Sequence, residues 1–281
     1  MPEPKLLSPI STLPQNVARS IRYVFSDLDD TITSHGRLLP RTYQAICDLD
    51  SAGIKVIIVT GGPAGWCDCI ARMWPVQAVV GEGGAFYMHK DFVTGRLKTR
   101  EFVPPKDREK FIASLSSIAD DVVKRFPGLT LSSDQFSRLF DLAIELDSLD
   151  SLGAANSAGT EPLKSREHRL GEVLHYLHIQ GLSTKTSSIH INACLGHWDK
   201  LSSTQALVRE LNGRELKDML GESVFIGDSL NDDSMFGFFK HSVGVANVLN
   251  YEASLVHLPK WITPSERGDG FVEFVDRLLK I

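Results

Sequence analysis

Short apolar runs that end in polar residues set the rhythm of this chain. Residues 21–25 form one such run ending in acids, the pattern of a strand buried in a parallel sheet. Pro40 then opens a predicted helix over 40–49, which Gly53 closes. Residues 54–59 make a second, β-branched run. It ends at Thr60-Gly61-Gly62-Pro63, a turn that starts another helix, and 76–80 form a third strand. Strands alternating with helices imply right-handed βαβ units and a parallel sheet.

The rhythm changes after residue 80. Gly81–Gly84 lead into strands over 85–89 and 96–102, an antiparallel excursion around Thr94-Gly95, and a helix is predicted over 106–126. Strands follow at 139–146 and 187–194, with a helix over 169–180 between them. Residues 147–159, rich in Ser, Asp, Gly and Ala, predict a flexible loop. Simple alternation returns with a helix over 200–211, a strand over 223–226, a helix over 232–239 and a strand over 242–245. The last segment, 271–281, puts Phe271, Phe274, Val275, Leu278 and Leu279 on one helical face. The economical reading is a doubly wound α/β core, Rossmann-like, interrupted by a smaller inserted α/β domain. Residues 1–20, punctuated by Pro and Ser, read as a loose N-terminal tail. The core then takes 21–91 and 192–281, and the insertion takes 92–191.

Composition narrows the function classes. The 281 residues are 42% hydrophobic and 23% charged, enough to bury a proper core. A net charge of -5, with no long Lys/Arg run, gives no support to nucleic-acid binding. No apolar run approaches the roughly 20 residues that span a bilayer, so no membrane role is expected. The first residues lack the basic start and apolar stretch of a signal peptide. The four cysteines, Cys47, Cys67, Cys69 and Cys194, are too few for a disulfide framework and read as free thiols of a cytoplasmic protein. Cys67 and Cys69, two apart in a predicted helix, face different ways and cannot readily chelate together.

The candidate chemistry sits where predicted strands end, which is where an open parallel sheet binds ligands. Asp27 and Asp29 are two apart in extended chain, so both can address one ligand. Carboxylates that close raise one another's pKa unless a cation lies between them or one stays protonated. That conflict suits a metal-bound nucleophile beside a proton donor. Asp228 follows the strand at 223–226, and Asp232 comes four residues later at a helix start. Hard oxygen ligands without nearby His or Cys favour Mg²⁺. Thr60-Gly61-Gly62 offers a hydroxyl and flexible N–H groups before a helix, a seat for phosphate oxygens. Taken singly, these features have plain alternatives: Asp30 or Asp232 as helix caps, the Thr60 turn as an ordinary turn, Lys200 as a solvated lysine. Their occurrence in one order at consecutive strand ends weakens those alternatives sharply.

These residues resemble a known family. Asp27-Leu28-Asp29-Asp30-Thr31 matches the DxDxT signature of haloacid-dehalogenase (HAD) superfamily phosphatases. Thr60 matches their second motif, Lys200 the third, and Gly227-Asp228-Ser229-Leu230-Asn231-Asp232 the fourth, GDxxND. Val243-Gly244-Val245-Ala246-Asn247 and Gly268-Asp269-Gly270-Phe271 resemble the tail of the Cof-type, sugar-phosphatase branch (subfamily IIB). That branch carries its cap between the second and third motifs, where the insertion falls here. The chain departs from the branch at Gly62, commonly Arg, and Gly83, commonly Asn.

The resemblance implies an Mg²⁺-dependent phosphomonoester hydrolase acting on a small phosphorylated metabolite such as a sugar phosphate. Asp27 is then the nucleophile that forms an aspartyl-phosphate, and Asp29 the general acid and base. Mg²⁺ would be held by the Asp27 and Asp228 carboxylates and the Asp29 backbone carbonyl, with Asp232 supporting through water. Thr60, Gly61, Lys200 and Asn231 would bind phosphoryl oxygens. A monomer or homodimer is expected. The alternatives are a phosphosugar mutase and a non-catalytic phospho-metabolite-binding protein; every catalytic position is filled, which weighs against the latter. Within the insertion, Arg138, Lys164, Arg166, His168 and Arg169 are the polar residues that could meet substrate, with Arg138 and Arg166 first. His190 and His197 have no partner at metal-ligand spacing.

Overall fold

The computed structural model describes residues 7–91, 93–151, 165–186 and 189–280. Residues 152–159 of the expected loop, Lys164, and residues 187–188 of an expected strand lie outside them. In chain order the strands are β1 (Ser8–Pro9), β2 (Tyr23–Ser26), β3 (Lys55–Val59), β4 (Ala78–Gly81), β5 (Phe86–Lys90), β6 (Leu97–Glu101), β7 (Leu142–Glu145), β8 (Ser183–Thr186), β9 (His190–Cys194), β10 (Ser223–Gly227), β11 (Ser242–Gly244) and β12 (Trp261–Ile262). The helices are α1 (Gln15–Ser20), α2 (Pro40–Ser51), α3 (Ala64–Met73), α4 (Arg108–Arg125), α5 (Arg166–Ile179), α6 (Lys200–Asn212), α7 (Asp233–Phe238) and α8 (Arg267–Leu279).

The chain forms two compact units. One comprises Met1–Gly62, Trp66–Arg100 and Asp199–Ile281; the other comprises Pro63–Gly65 and Glu101–Trp198. The first unit holds a sheet in the order β1-β12-β11-β10-β2-β3-β4-β5-β6. Pairings from β1 across to β4 are parallel, and β5 returns antiparallel to β4. The central strands earn their place by composition. Val56, Ile57, Ile58 and Val59 of β3 are all 1% exposed or less, as a strand covered on both faces requires. Phe25, Phe225, Phe236 and Phe239 pack together in the core beneath β2 and β10. The final helix α8 buries Phe271, Phe274, Val275 and Leu278 on one face.

The second unit is a three-stranded antiparallel sheet, β7-β9-β8. Alternate residues Leu142, Ile144, Ile191 and Ala193 face a core shared with Leu115 and Val122 of α4 and Val173 and Leu177 of α5. Ser165 caps α5 by accepting from the His168 N–H, so that helix begins before the expected residue 169.

A loose tail is expected over 1–20, but its described part, residues 7–20, is held against the core. Ser8 and Pro9 pair in register with Trp261 and Ile262. Ile10, Leu13 and Ala18 are buried, and the Arg277 guanidinium donates to the Leu13 carbonyl. A two-residue strand and one-turn helices carry no periodicity to read, yet each buried apolar side chain contributes on the order of 1–3 kcal/mol. The short strands β8 and β12 went unforeseen for the same reason. Helix α8 also starts earlier than expected, at Arg267.

Candidate active site

Register brings the polar strand ends level. Ile226 of β10 pairs with Ser26 of β2, and Ser26 pairs with Ile58 of β3. Asp228, Asp27 and Thr60 therefore leave three adjacent parallel strands at one carboxyl edge. Backbone bonds hold the exits: Asp27 N–H donates to Ile226 O at 2.9 Å, and Thr60 N–H to Val80 O at 2.9 Å. Asp27, Asp228 and Asp232 are 3%, 1% and 0% exposed. One carboxylate oxygen from each lies within 4.8 Å of the others.

Lys200 arrives from the other side of the sequence and ties the cluster together. Helix α6 begins with a capping box, Asp199 accepting from the Ser202 N–H at 2.8 Å and the Ser202 hydroxyl bonding the Asp199 N–H. That cap sets Lys200 in the first turn. Its Nζ donates to Asp27 Oδ1 at 2.6 Å, Asp232 Oδ1 at 2.7 Å and Asn231 Oδ1 at 2.9 Å. Both oxygens of Asp232 are engaged, since Oδ2 accepts the N–H groups of Asp228 at 3.0 Å and Ser229 at 3.3 Å. Gly227 permits this: a Cβ there would collide with the Asp232 carboxylate.

The electrostatics are unbalanced. Burial pushes the Asp27 carboxyl up to about 8, against the pull of Lys200, while Asp232 and Asp29 push the same way. Burial also holds the Asp228 carboxyl well above the ordinary carboxylate range, reinforced by Asp27 and Asp232. For Lys200, burial alone would lower the pKa. Asp232 and Asp27 outweigh it, and the ammonium stays charged. Three buried carboxylates thus share one buried cation. A group of three hard oxygen donors short of positive charge fits a divalent cation such as Mg²⁺, the chemistry expected of these residues.

The remaining predicted residues fall around this cluster. Thr60, 0% exposed, accepts the Gly62 N–H on its hydroxyl at 2.8 Å, which leaves the hydroxyl proton to donate elsewhere. Gly61 lies in the same turn. Asp29 sits two residues past Asp27, partly exposed, near enough for its charge to raise the Asp27 pKa. Two residues that the sequence placed only within motifs, with no role of their own, also reach the cluster. Thr31 Oγ1 lies 3.4 Å from Asp228 Oδ1, and Asn247 Nδ2 donates to Asp228 Oδ2 at 2.9 Å. Their signals were present, since Thr31 closes the first motif and Asn247 lies just beyond the end of β11, the neighbour of β10.

The insertion residues divide. Arg138, expected to meet substrate, is instead committed inside its own unit, with a side chain only 2% exposed. Its Nε and Nη2 donate to Asp134 at 2.8 and 3.1 Å, and Nη1 to Asp141 at 3.0 Å. Asn192 Nδ2 adds a bond to Asp141 at 2.8 Å. Its fork is matched to two carboxylates, which is a structural task. Arg138→Met should therefore cost about 3–5 kcal/mol, because it strands two carboxylates, one of them fully buried. Chemical denaturation of the variant checks this, and a loss under about 1 kcal/mol would refute it. Arg166 is half exposed and donates to the Leu146 carbonyl at 3.2 Å, with Asp150 at 3.5 Å. His190 pairs with Glu145 at 3.4 Å, a contact within the β7–β9 sheet.

Comparison with known proteins bears on this geometry. Residues 24–118 match the family described as haloacid dehalogenase-like hydrolase. No curated protein matches the chain by sequence. Among solved structures, a Thermoplasma acidophilum protein superposes with a TM-score of 0.66 at 16% identity, covering 93% of this chain and 99% of that one. A haloacid dehalogenase-like hydrolase from B. subtilis gives 0.57 at 16% identity, covering 92% and 100%. The sucrose-phosphatase of Synechocystis sp., solved with sucrose and phosphate, gives 0.56 at 15% identity, covering 91% and 97%. Residues 24–118 thus resemble the haloacid dehalogenase-like hydrolases in sequence, and the chain shares its fold with these structures.

Proposed function

We propose that the protein is an Mg²⁺-dependent phosphomonoester hydrolase that works through an aspartyl-phosphate on Asp27. The observation that carries this reading is the Lys200 ammonium bound to Asp27, Asn231 and Asp232 in a buried group of three carboxylates. Asp27, Asp228 and the Asp29 backbone carbonyl would hold the ion, and Asp232, its oxygens already engaged, orients the group. Bound there, Mg²⁺ offsets the repulsion between the Asp27 carboxylate and an anionic ester.

The chain's own residues do the rest. An Asp27 carboxylate oxygen attacks phosphorus as the ester oxygen departs, and Asp29 supplies the proton that the leaving oxygen needs. Water then attacks the phosphoryl group, gives its proton back to Asp29, and releases phosphate with Asp27 regenerated. Lys200, Thr60, the Gly61 N–H and Asn231 meet the charge developing on the phosphoryl oxygens. The substrate is a small phosphorylated metabolite. The likeness in fold to a sucrose-phosphatase supports a phosphorylated carbohydrate.

Hydrolysis of para-nitrophenyl phosphate tests this directly. Turnover is expected with Mg²⁺, should fall at least about 100-fold on adding EDTA, and should return on restoring Mg²⁺. Turnover indifferent to the chelator, or phosphate binding without hydrolysis, would refute the proposal. A panel of phosphorylated sugars then orders the substrates by kcat/KM.

A further inference from the structure

Asn247 belongs to no motif whose chemistry has been used so far, yet its side chain is 4% exposed and every polar atom on it is spent. Nδ2 donates both to Asp228 Oδ2 at 2.9 Å and to the Asp30 backbone carbonyl at 3.0 Å. Oδ1 accepts the Arg267 N–H at 2.9 Å. Only one amide orientation satisfies these partners, because a flipped side chain would set an oxygen against two acceptors and an NH₂ against an N–H. One amide therefore joins the loop after β2, the loop after β10 and the start of α8.

The backbone around it is bent to make this possible. Asp30 has φ 54° and Arg267 φ 55°, both in the left-handed region that costs a non-glycine residue. The two strained residues are bonded to each other, Arg267 Nε donating to Asp30 Oδ1 at 3.0 Å. At Arg267 the N–H reaches Asn247 while the guanidinium reaches Asp30. Strain on both sides of a single buried amide marks a clamp that the surrounding contacts over-determine.

We infer that Asn247 is a positioning residue, which fixes the Asp228 carboxylate in the orientation that receives the divalent cation and ties it to the Asp27–Asp30 loop. The inference rests on the metal reading proposed above. A hydrogen bond to a ligating carboxylate sets its rotamer and its charge distribution, and losing such a bond commonly weakens metal affinity by about 10–100-fold. Asn247 touches no reacting atom in this scheme, so its effect should pass through the metal.

Calorimetric titration of the metal-free full-length protein with Mn²⁺ tests it without relying on turnover. Two variants are informative. Asn247→Ala removes the amide. Asn247→Asp keeps its shape and the acceptor for the Arg267 N–H, and removes the donor that faces Asp228 and the Asp30 carbonyl, so it carries the test should the alanine variant not fold. Both should bind Mn²⁺ about 10–100-fold more weakly than the native protein. Turnover of the variants should climb back toward the native rate as Mn²⁺ is raised, a recovery that a merely structural defect would not give. A folded variant that binds Mn²⁺ within about twofold of native overturns the inference alone. A native protein that does not bind Mn²⁺ at all overturns the metal reading and this inference with it.

Discussion

Asp27→Asn is expected to lose turnover by at least about 10³-fold while keeping the fold, since an amide of the same shape cannot serve as the nucleophile. The pKa of Asp27 adds a second, independent consequence. Its carboxyl is raised from 3.8 to about 8 in the fold, chiefly by burial. A raised carboxyl favours the folded state while protonated, so its contribution is fully present below about pH 4 and is lost as pH rises through 8. The asparagine does not titrate. In metal-free buffer, Asp27→Asn should therefore gain stability relative to the native protein as pH climbs from about 4 to 8. Its removal also leaves Lys200 facing two buried acids, Asp232 in direct contact and Asp228 beside it, rather than three. Denaturation midpoints at several pH values read the effect. Near-native turnover would sink the nucleophile assignment; a stability difference independent of pH would sink the electrostatic account.

Much of the first unit was legible because its strands are composed for burial on both faces and end abruptly in acids. Residues 21–25, 54–59 and 223–226 were read within about two residues of β2, β3 and β10, and that is close enough to aim Asp27, Thr60 and Asp228 at one edge. Lys200 needed more than local pattern. Its contact with Asp27 spans 173 positions and depends on α6 starting where Asp199 caps it. What stayed hidden depends on tertiary partners. Arg138 reads as a free cation until Asp134 and Asp141 enclose it. Asn247 and Arg267 lie 20 positions apart and meet where Arg267 takes a positive φ. The pairing of Ser8 and Pro9 with β12 rests on two residues a side, too few for any periodicity to announce.

For Asp29→Asn the expected loss depends on the leaving group. The backbone carbonyl survives the substitution, so Mn²⁺ or Mg²⁺ affinity should change little, and Asp27 keeps its contact with Lys200. What disappears is the proton donor. A sugar alkoxide is a poor leaving group and must be protonated as the P–O bond breaks, whereas a nitrophenolate departs readily as the anion. General acid catalysis is worth about 10²–10⁴-fold where protonation is needed, so kcat for a sugar phosphate should fall by that order. The cleavage step for para-nitrophenyl phosphate should fall less than about tenfold, and a burst of nitrophenol should precede slow turnover. The burst follows because in the proposed mechanism Asp29 also takes the proton of the hydrolytic water, so the aspartyl-phosphate would accumulate when that base is gone. The native protein, if Asp29 serves both steps as proposed, should show no such burst. Rapid-mixing measurements on both esters separate the two roles. Equal losses for alkyl and aryl esters, with no burst, would show that Asp29 handles neither proton and that its place beside Asp27 is electrostatic alone.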